Sequence, residues 1–499
     1  VVEHQENLGI KEALIEEILV ENDVIKGVKT QYGQEYFGKT VILTPGTFLR
    51  GRIHIGLKNF SAGRAGEFAA ENLSLSLKNN GIKLARFKTG TPPRLNARTL
   101  NFFKLKEQMP DEPPVKFSYY TDIKPKNYVS CFLTSTNPQT HKIIADNIEE
   151  SSLFSGNITG IGARYCPSIE DKIRKFPEKD KHQVFIEPEG IDTFEMYANG
   201  IPTSFPPDIQ LKIVHSIKGL EKAKIMRFGY AIEYDCVQTD QIKPNLEMKN
   251  INGLFLAGQI NGTSGYEEAA AQGIVAGINA VNKLNKEPPI IFTRDQSYIG
   301  VLIDDLVTKG VDEPYRMFTA RAEYRLHLRQ DNADERLMPL GYKLGLISKE
   351  RYDKFKRAIE IKNREIDKLK SINANIESKK SYKMIDILRR PEVNFESLTQ
   401  FGYKIEDDVT ELIMEKVMLE VKYEGYIKRQ LQEIEKFNYL EHKNIPQNFD
   451  YMNFHTISYE SREKLTKVKP ISVGQAARIP GVTYADISAL LIKLKSMYG

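Results

Sequence analysis

Residues 253–273 constrain what this chain can fold into more than any other stretch. Leu254, Phe255 and Leu256 form a short apolar run, the pattern of a strand buried on both faces. Gly253, Gly258, Gly262, Gly265 and Gly273 bound or follow it. Residues 266–271 are rich in helix formers, with Ala269, Ala270 and Ala271 in a row. A buried strand, a glycine turn and a small-residue helix let backbone N–H groups approach a phosphate or a planar ring at a helix N-terminus. The segment therefore predicts a nucleotide-type cofactor site and, with it, an enzyme. The competing reading is a glycine-rich surface loop, against which the flanking strand and helix weigh. Gln259 and Asn261 carry amides that both donate and accept, suited to ring heteroatoms. Glu267 and Glu268 fall in the first helical turn, where acidic groups are favoured anyway.

The 499 residues allow several domains and a large core. A hydrophobic content of 41% and a charged content of 27% are those of a globular protein in water. No apolar run reaches about 18 residues, so no membrane span is expected. The polar, acidic start shows no signal peptide pattern, and a cytoplasmic location is expected. A net charge of +5 against 71 basic and 66 acidic residues does not by itself imply nucleic acid, so such a partner must be argued from local clusters. Three widely spaced cysteines exclude a disulfide framework and a zinc ribbon, and no metal site is expected. Two strand-like runs, 18–20 and 24–28, flank the polar Glu21-Asn22-Asp23 and read as a hairpin; 41–43 reads as a further buried strand. Strands this early, with no preceding glycine-rich phosphate loop, predict that an N-terminal segment is missing.

Further along, residues 1–92 read as strands, glycine turns and one helix over 65–79. The text then turns Pro-, Tyr- and Lys-rich, and nucleotide-site language returns at 251–280. Segments 349–373 and 408–437 read as amphipathic helices, and Ser472 and Thr483 as caps in a small closing helical unit. The predicted organisation is a discontinuous α/β domain from 1–92 and 241–290, an insert over 93–240, a helical domain over 291–435 and a terminal helical subdomain over 436–499.

Three other motifs bear on chemistry. Residues 160–172 place Cys166 beside Arg164 and ahead of a predicted helix start at Pro167, a setting that lowers a thiol pKa and makes a reactive thiolate. The alternative is a buried structural cysteine, a description that suits Cys131 and Cys236 better. Residues 46–56, 63–66 and 86–94 interleave glycines, hydroxyls and cations, which suits anionic ligands. His54 within them reads more readily as a satisfied structural residue. Residues 313–329 set Arg321, Arg325 and Arg329 at four-residue spacing among aromatics: on a helix they form one phosphate-binding face, or a salt-bridged one with Glu313 and Glu323.

Taken together these motifs resemble the MnmG (GidA) family of flavoproteins that modify the wobble uridine of tRNA. The resemblance is carried by 46–56, 88–94, 164–172, 182–190, 229–235, 258–273, 314–334, 422–427 and 474–494, and it runs from about residue 8 to the end. It implies an α/β FAD-binding domain of Rossmann type, discontinuous and with its N-terminal part missing, an inserted NADH-binding α+β domain, and a C-terminal all-α domain. It implies addition of a carboxymethylaminomethyl or aminomethyl group to uridine carbon 5, together with an MnmE-type GTPase, using FAD, NADH and methylenetetrahydrofolate. It also implies a homodimer. On the matching positions, Cys166 resembles a catalytic cysteine. Ile15, Ala70, Gly258, Gln259, Asn261, Gly262 and Gly265 resemble FAD contacts. Gly162, Ala163, Arg164, Tyr165, Cys166, Pro167, Ser168, Ile169, Glu170, Asp171, Lys172, Ile173, Arg174, Lys175 and Phe176 resemble the NAD contact. Arg316 and Arg325 resemble tRNA-holding residues, and the terminal unit resembles the part that docks MnmE.

The family's Gly-x-Gly-x-x-Gly loop and its other catalytic cysteine have no counterpart here, so this chain alone is expected to bind FAD weakly and be inactive. Ala163 and Phe228 stand where the family usually has proline, which softens two turns. One alternative is a TrmFO-like folate- and FAD-dependent tRNA uridine 5-methyltransferase, against which the long helical C-terminus argues. The other is a non-catalytic scaffold binding tRNA or a partner, against which Cys166 and the intact glycine turn argue.

Overall fold

The computed structural model describes residues 1–118, 121, 123–165, 167–376 and 380–498. The chain divides into two compact units. One comprises residues 1–290 and 310–317, the other 291–309 and 318–499.

The first unit is α/β. Its opening hairpin pairs Ile15–Glu21 with Val24–Thr30. The turn between them forms because Asn22 and Asp23 both accept positive φ, at 51° and 59°, which matches the right-handed twist of a two-residue hairpin. Val41–Leu43 pairs in parallel with Leu254–Leu256, bringing two stretches about 200 residues apart into one sheet. The run Leu254, Phe255, Leu256 is completely buried, as a two-sided parallel strand requires. A five-stranded sheet has the order Ile161–Gly162, Leu84–Thr91, Tyr230–Val237, Arg52–Ile55, Lys58–Ser61. Only its first pairing is parallel.

A six-stranded antiparallel sheet runs Ile225–Arg227, Arg94–Asn96, Glu195–Asn199, Gln183–Pro188, Cys131–Ser135, Lys106–Gln108. Its strands alternate. Val184, Ile186, Met196 and Ala198 point to one face and are buried with Phe205, Ile209 and Ile213, while Glu187 and Glu195 turn to the other. Helices Pro138–Asp146 and Pro207–His215 cover the apolar face.

The second unit is helical apart from one small hairpin, Asn373–Ile376 with Lys380–Lys383. Lys349–Ser371 and Glu411–Glu441 are its long helices, starting on the hydroxyl caps Ser348 and Thr410. Buried Lys362 joins them through Glu420 at 2.6 Å, and Lys362 and Lys416 tie them to the helix Ala333–Lys343 through Glu335 at 2.8 Å and Asp334 at 2.7 Å. The closing unit forms from Tyr459–Val468, Val473–Ala477 and Tyr484–Tyr498, around Leu465, Ile479, Ile487 and Leu490. Ser472 caps its middle helix through the Gln475 N–H, and Thr483 with Asp486 caps the last. Among the described residues no helix is long and apolar enough to cross a membrane, and no cluster of His, Cys, Asp or Glu could hold a metal ion.

The helix expected to carry Arg321, Arg325 and Arg329 on one face does not form. Residues 319–321 make a single 3-10 turn, and the chain continues as turns. Side chains take up backbone carbonyls there: Arg294 donates to Arg321 O, and Asn332 to His327 O. Glu323 pairs with Arg294 at 2.8 Å. Ala322 and Leu328 are buried. The 65–79 helix is also shorter than expected, starting at Glu71.

Candidate functional site

The parallel strand Leu254–Leu256 delivers the chain into the glycine turn. Gly258 at φ +86° and Gly262 at +76° adopt left-handed geometry that side chains resist. A methyl at Gly262 would sit 3.1 Å from both the Phe87 ring and Val311, so bulk is also excluded there. Between them 258–261 forms one 3-10 turn, and Gly265 begins the 20-residue helix Tyr266–Asn285 with no side-chain cap. That end of the helix leaves first-turn N–H groups for a ligand.

Gln272, fully buried one and a half turns into the helix, holds the turn in shape. Its Oε1 accepts from Asn261 Nδ2 at 2.8 Å and from the Gly258 N–H at 3.2 Å. Its Nε2 donates to Thr263 Oγ1 at 3.0 Å and Glu268 O at 3.1 Å. No sequence pattern singled Gln272 out, because a mid-helix glutamine is ordinary until the turn it faces is known.

Two polar atoms at this turn are buried with no hydrogen-bond partner among the described residues, Asn261 Oδ1 and Glu268 Oε2. Such atoms are costly unless something completes them. Gln259 lies beside Gly46, whose added methyl would be 3.8 Å from Gln259 Oε1, so 46–48 and 258–261 face each other. The buried Glu268 carboxylate disfavours a phosphate at this helix end, whereas the amides of Gln259 and Asn261 and the glycine floor accommodate the polar edge of a ring. The residues present therefore fit a flavin ring better than a pyrophosphate. Ala70 is joined by backbone to the same region: its N–H donates to Phe48 O at 2.9 Å and its carbonyl accepts from Arg50 N. Ile15 starts the outer hairpin strand, paired with Thr30.

The segment preceding Cys166 packs onto the turn. Tyr165 donates its hydroxyl to the Pro314 carbonyl and lies 3.3 Å from Ser264 Oγ. Burial pushes its phenol pKa up, so it stays a donor. The Arg164 guanidinium pairs with Glu313 at 3.3 Å. The 310–317 segment in turn lies along the glycine turn, with Tyr315 N donating to Gly262 O and Ser264 N to Tyr315 O. Arg316 reaches Glu267 at 3.4 Å and Glu268 at 3.7 Å, and the Met317 N–H donates to Glu268 Oε1 at 2.7 Å. Cys166 itself lies outside the described residues.

Beyond it the chain is anchored again. Helix Ile169–Lys175 starts at Ser168, one residue after Pro167. Ile169 and Glu170 are fully buried; Glu170 Oε1 accepts from Ser151 Oγ, Ser204 N and Ser204 Oγ at 3.0–3.1 Å. Ile173 packs on the core of the six-stranded sheet, and Lys172 donates to Gly200 O. Asp171 holds Lys175 at 2.8 Å. Gly162, Arg164, Arg174, Lys175 and Phe176 are exposed, and Ala163 and Pro167 are partly so. Ligand contact by side chain is therefore open to the exposed members and closed to Ile169 and Glu170.

His54 is a satisfied structural residue on one side: its Nε2 lies 2.8 Å from Glu233 Oε2 in the core. Burial pushes the Cys236 thiol up to about 12, which leaves it inert at neutral pH. Cys131 is also raised, by burial and then by Glu187. Arg325 is exposed in the helical unit, whereas Arg316 belongs to the α/β unit.

Comparisons with known proteins agree with this architecture. Residues 1–288 match the family model "Glucose inhibited division protein A". Residues 349–431 and 433–498 match the C-terminal helical domain and the C-terminal helical bundle of the tRNA-modifying enzyme MnmG/GidA. The chain is 52% identical to the tRNA uridine 5-carboxymethylaminomethyl modification enzyme MnmG of Thermodesulfovibrio yellowstonii, over 99% of this chain and 81% of that protein. It is 50% identical to the protein of the same name from Syntrophotalea carbinolica, over 99% and 82%. The structure of Aquifex aeolicus GidA superposes with a TM-score of 0.92 at 46% identity, covering 99% of this chain and 81% of that one. The chain belongs to the MnmG/GidA family.

Proposed function

We propose that this chain is an FAD-dependent enzyme that modifies the wobble uridine of tRNA, adding a carboxymethylaminomethyl or aminomethyl group at carbon 5. The observation that carries the reading is the convergence of three separated motifs. The chain leading into Cys166, the glycine turn, and 313–317 are tied together by Tyr165, Ser264, Glu313 and Arg316. The names of the relatives support the same reaction class.

In this reading Gly258, Gln259, Asn261, Gly262 and Gly265 hold the flavin ring, with backbone from Ala70 and Ile15 further out. FAD, when bound, supplies the redox chemistry, with NADH received along 162–176. Uridine carbon 5 is a weak nucleophile. The Cys166 thiolate would add to carbon 6, making carbon 5 enolate-like and able to attack the methylene carbon of methylenetetrahydrofolate with release of the folate nitrogen; loss of the carbon 5 proton and expulsion of the thiolate would then restore the ring double bond. Arg316 and Arg325 contribute cations to the tRNA backbone. The terminal unit 436–499 docks an MnmE-type GTPase, and the enzyme works in the cytoplasm as a homodimer. The domain limits that go with this reading are 1–92 with 241–290 for flavin, 93–240 for NADH, 291–435 for tRNA and 436–499 for the partner.

The test is Cys166→Ser in cells that depend on this protein, with tRNA nucleosides read by mass spectrometry. Loss of the modified uridine is expected. Unchanged nucleosides refute Cys166 as the nucleophile.

A further inference from the structure

A buried carboxylate that the reaction does not use sits behind Thr159 and Gly160, ahead of Cys166 in the chain. Glu233 lies on the central strand Tyr230–Val237 and is 3% exposed. Its Oε1 accepts from the Gly160 N–H at 2.6 Å, the Thr159 N–H at 2.8 Å and Thr159 Oγ1 at 3.1 Å. Its Oε2 takes His54 Nε2 at 2.8 Å, and Arg86 approaches Oε1 at 3.5 Å. A carboxylate with this many donors is both charge-stabilised and fixed in orientation.

The position of these donors gives the arrangement its meaning. Thr159 and Gly160 open the stretch that becomes Ile161–Gly162, paired in parallel with Phe87 and Lys88, and five residues later reaches Tyr165. Gly160 is built for close approach: a methyl there would lie 2.8 Å from Phe87 O and 3.2 Å from Glu233 Oε1. The stretch is thus held at its start by Glu233 and at its end by Tyr165 on Pro314 and Ser264. Downstream the buried Glu170 holds the chain again.

We propose that Glu233 is a positioning residue for the stretch that leads to Cys166, its buried carboxylate fixing Thr159 and Gly160 so that the chain leaving them carries Tyr165 to the glycine turn. The proposal rests on Cys166 being the nucleophile. Glu233 touches neither substrate nor cofactor; it acts through the backbone it holds. His54 and Arg86 hold the carboxylate in turn.

The experiment compares wild type, Glu233→Gln, Gly160→Ala and Cys166→Ser in the full-length protein loaded with flavin. Gly160→Ala displaces the loop without changing a charge and covers the case in which Glu233→Gln does not fold. Hydrogen exchange is read at the amides of 159–165, with turnover on tRNA alongside. Glu247→Gln serves as the structural control, since Glu247 is a buried carboxylate bound to Lys243, Lys283 and the Gly253 N–H, none of them in the segment. The expected result is exchange at 159–165 faster by roughly 10-fold or more in both loop variants, absent in the control. With it, kcat should fall about 100-fold at a KM for tRNA within about 2-fold, the cost of an ångström-scale misplacement. If Cys166→Ser is inactive while both loop variants keep wild-type exchange and kcat, the positioning role is overturned and the nucleophile stands. If Cys166→Ser is fully active, the nucleophile itself is wrong and the positioning role falls with it.

Discussion

Replacing Gln272 by leucine tests the glycine turn without touching any ligand. The side chain is fully buried and makes four hydrogen bonds that join helix Tyr266–Asn285 to Gly258, Asn261 and Thr263. Leucine fills similar volume but makes none of them. Asn261 Nδ2 keeps its bond to Leu256 O at 2.9 Å, so it is not stripped completely. The Gly258 N–H loses the acceptor that Gln272 supplies, and a buried orphaned donor costs about 1–3 kcal/mol. The remaining lost bonds each remove about 0.5–1.5 kcal/mol. The low end of that sum, about 3 kcal/mol, falls on local opening of the turn. At about 1.4 kcal/mol per factor of ten, amide protection over 258–263 should drop roughly 100-fold. The assay is hydrogen exchange resolved to that segment, with the strand Tyr230–Val237 as the internal reference that should keep its protection. If 258–263 exchanges as slowly in Gln272→Leu as in wild type, Gln272 does not hold the turn.

Acid should loosen the Cys166 segment through Glu233. Burial alone would raise this carboxyl, but the bonds from His54, Gly160, Arg86 and Thr159 outweigh it and hold the group at about 2, against an ordinary 4.5. Its contribution, about 3 kcal/mol, is therefore complete above pH 4.5 and lost as pH falls toward 2. The stability difference between wild type and Glu233→Gln should shrink between pH 5 and pH 2; a difference independent of pH contradicts this. Arg478→Met should release the terminal helices. Arg478 joins Asp304 at 2.6 Å and Glu441, and removing it leaves Glu441 without that cation at a cost of about 3 kcal/mol. Circular dichroism is the suitable probe because the chain has no tryptophan, and an unchanged melt of the helical unit would count against the ion pair. In the full-length protein loaded with flavin, Gly265→Ala should weaken flavin binding, since the methyl would overlap the Glu268 carboxylate and crowd Arg316; an unchanged flavin affinity would refute the cradle.

The strand, glycine turn and helix at 253–273 were legible because each piece has a local cause: complete apolarity, glycine at positive φ, and a run of helix formers. The opening hairpin, the caps at Ser472 and Thr483 and the structural character of Cys236 were legible for similar local reasons. Two kinds of feature were not. The arginines at 321, 325 and 329 match helical spacing, but Arg294 and Asn332, 27 and 5 residues away from the carbonyls they take, divert that backbone. Propensity cannot report such tertiary competition. The Glu233 anchor and the Gln272 pin depend on partners 73 and 14 residues distant. Nothing in the neighbouring sequence distinguishes these residues from ordinary surface polar groups.

The central claim is that this chain's site modifies the wobble uridine of tRNA. Mass spectrometry of tRNA nucleosides from cells depleted of the protein tests it most directly. Loss of carboxymethylaminomethyl- or aminomethyl-uridine derivatives, with 5-methyluridine intact, is the predicted result. Loss of 5-methyluridine instead, or no change in any modified uridine, would contradict it.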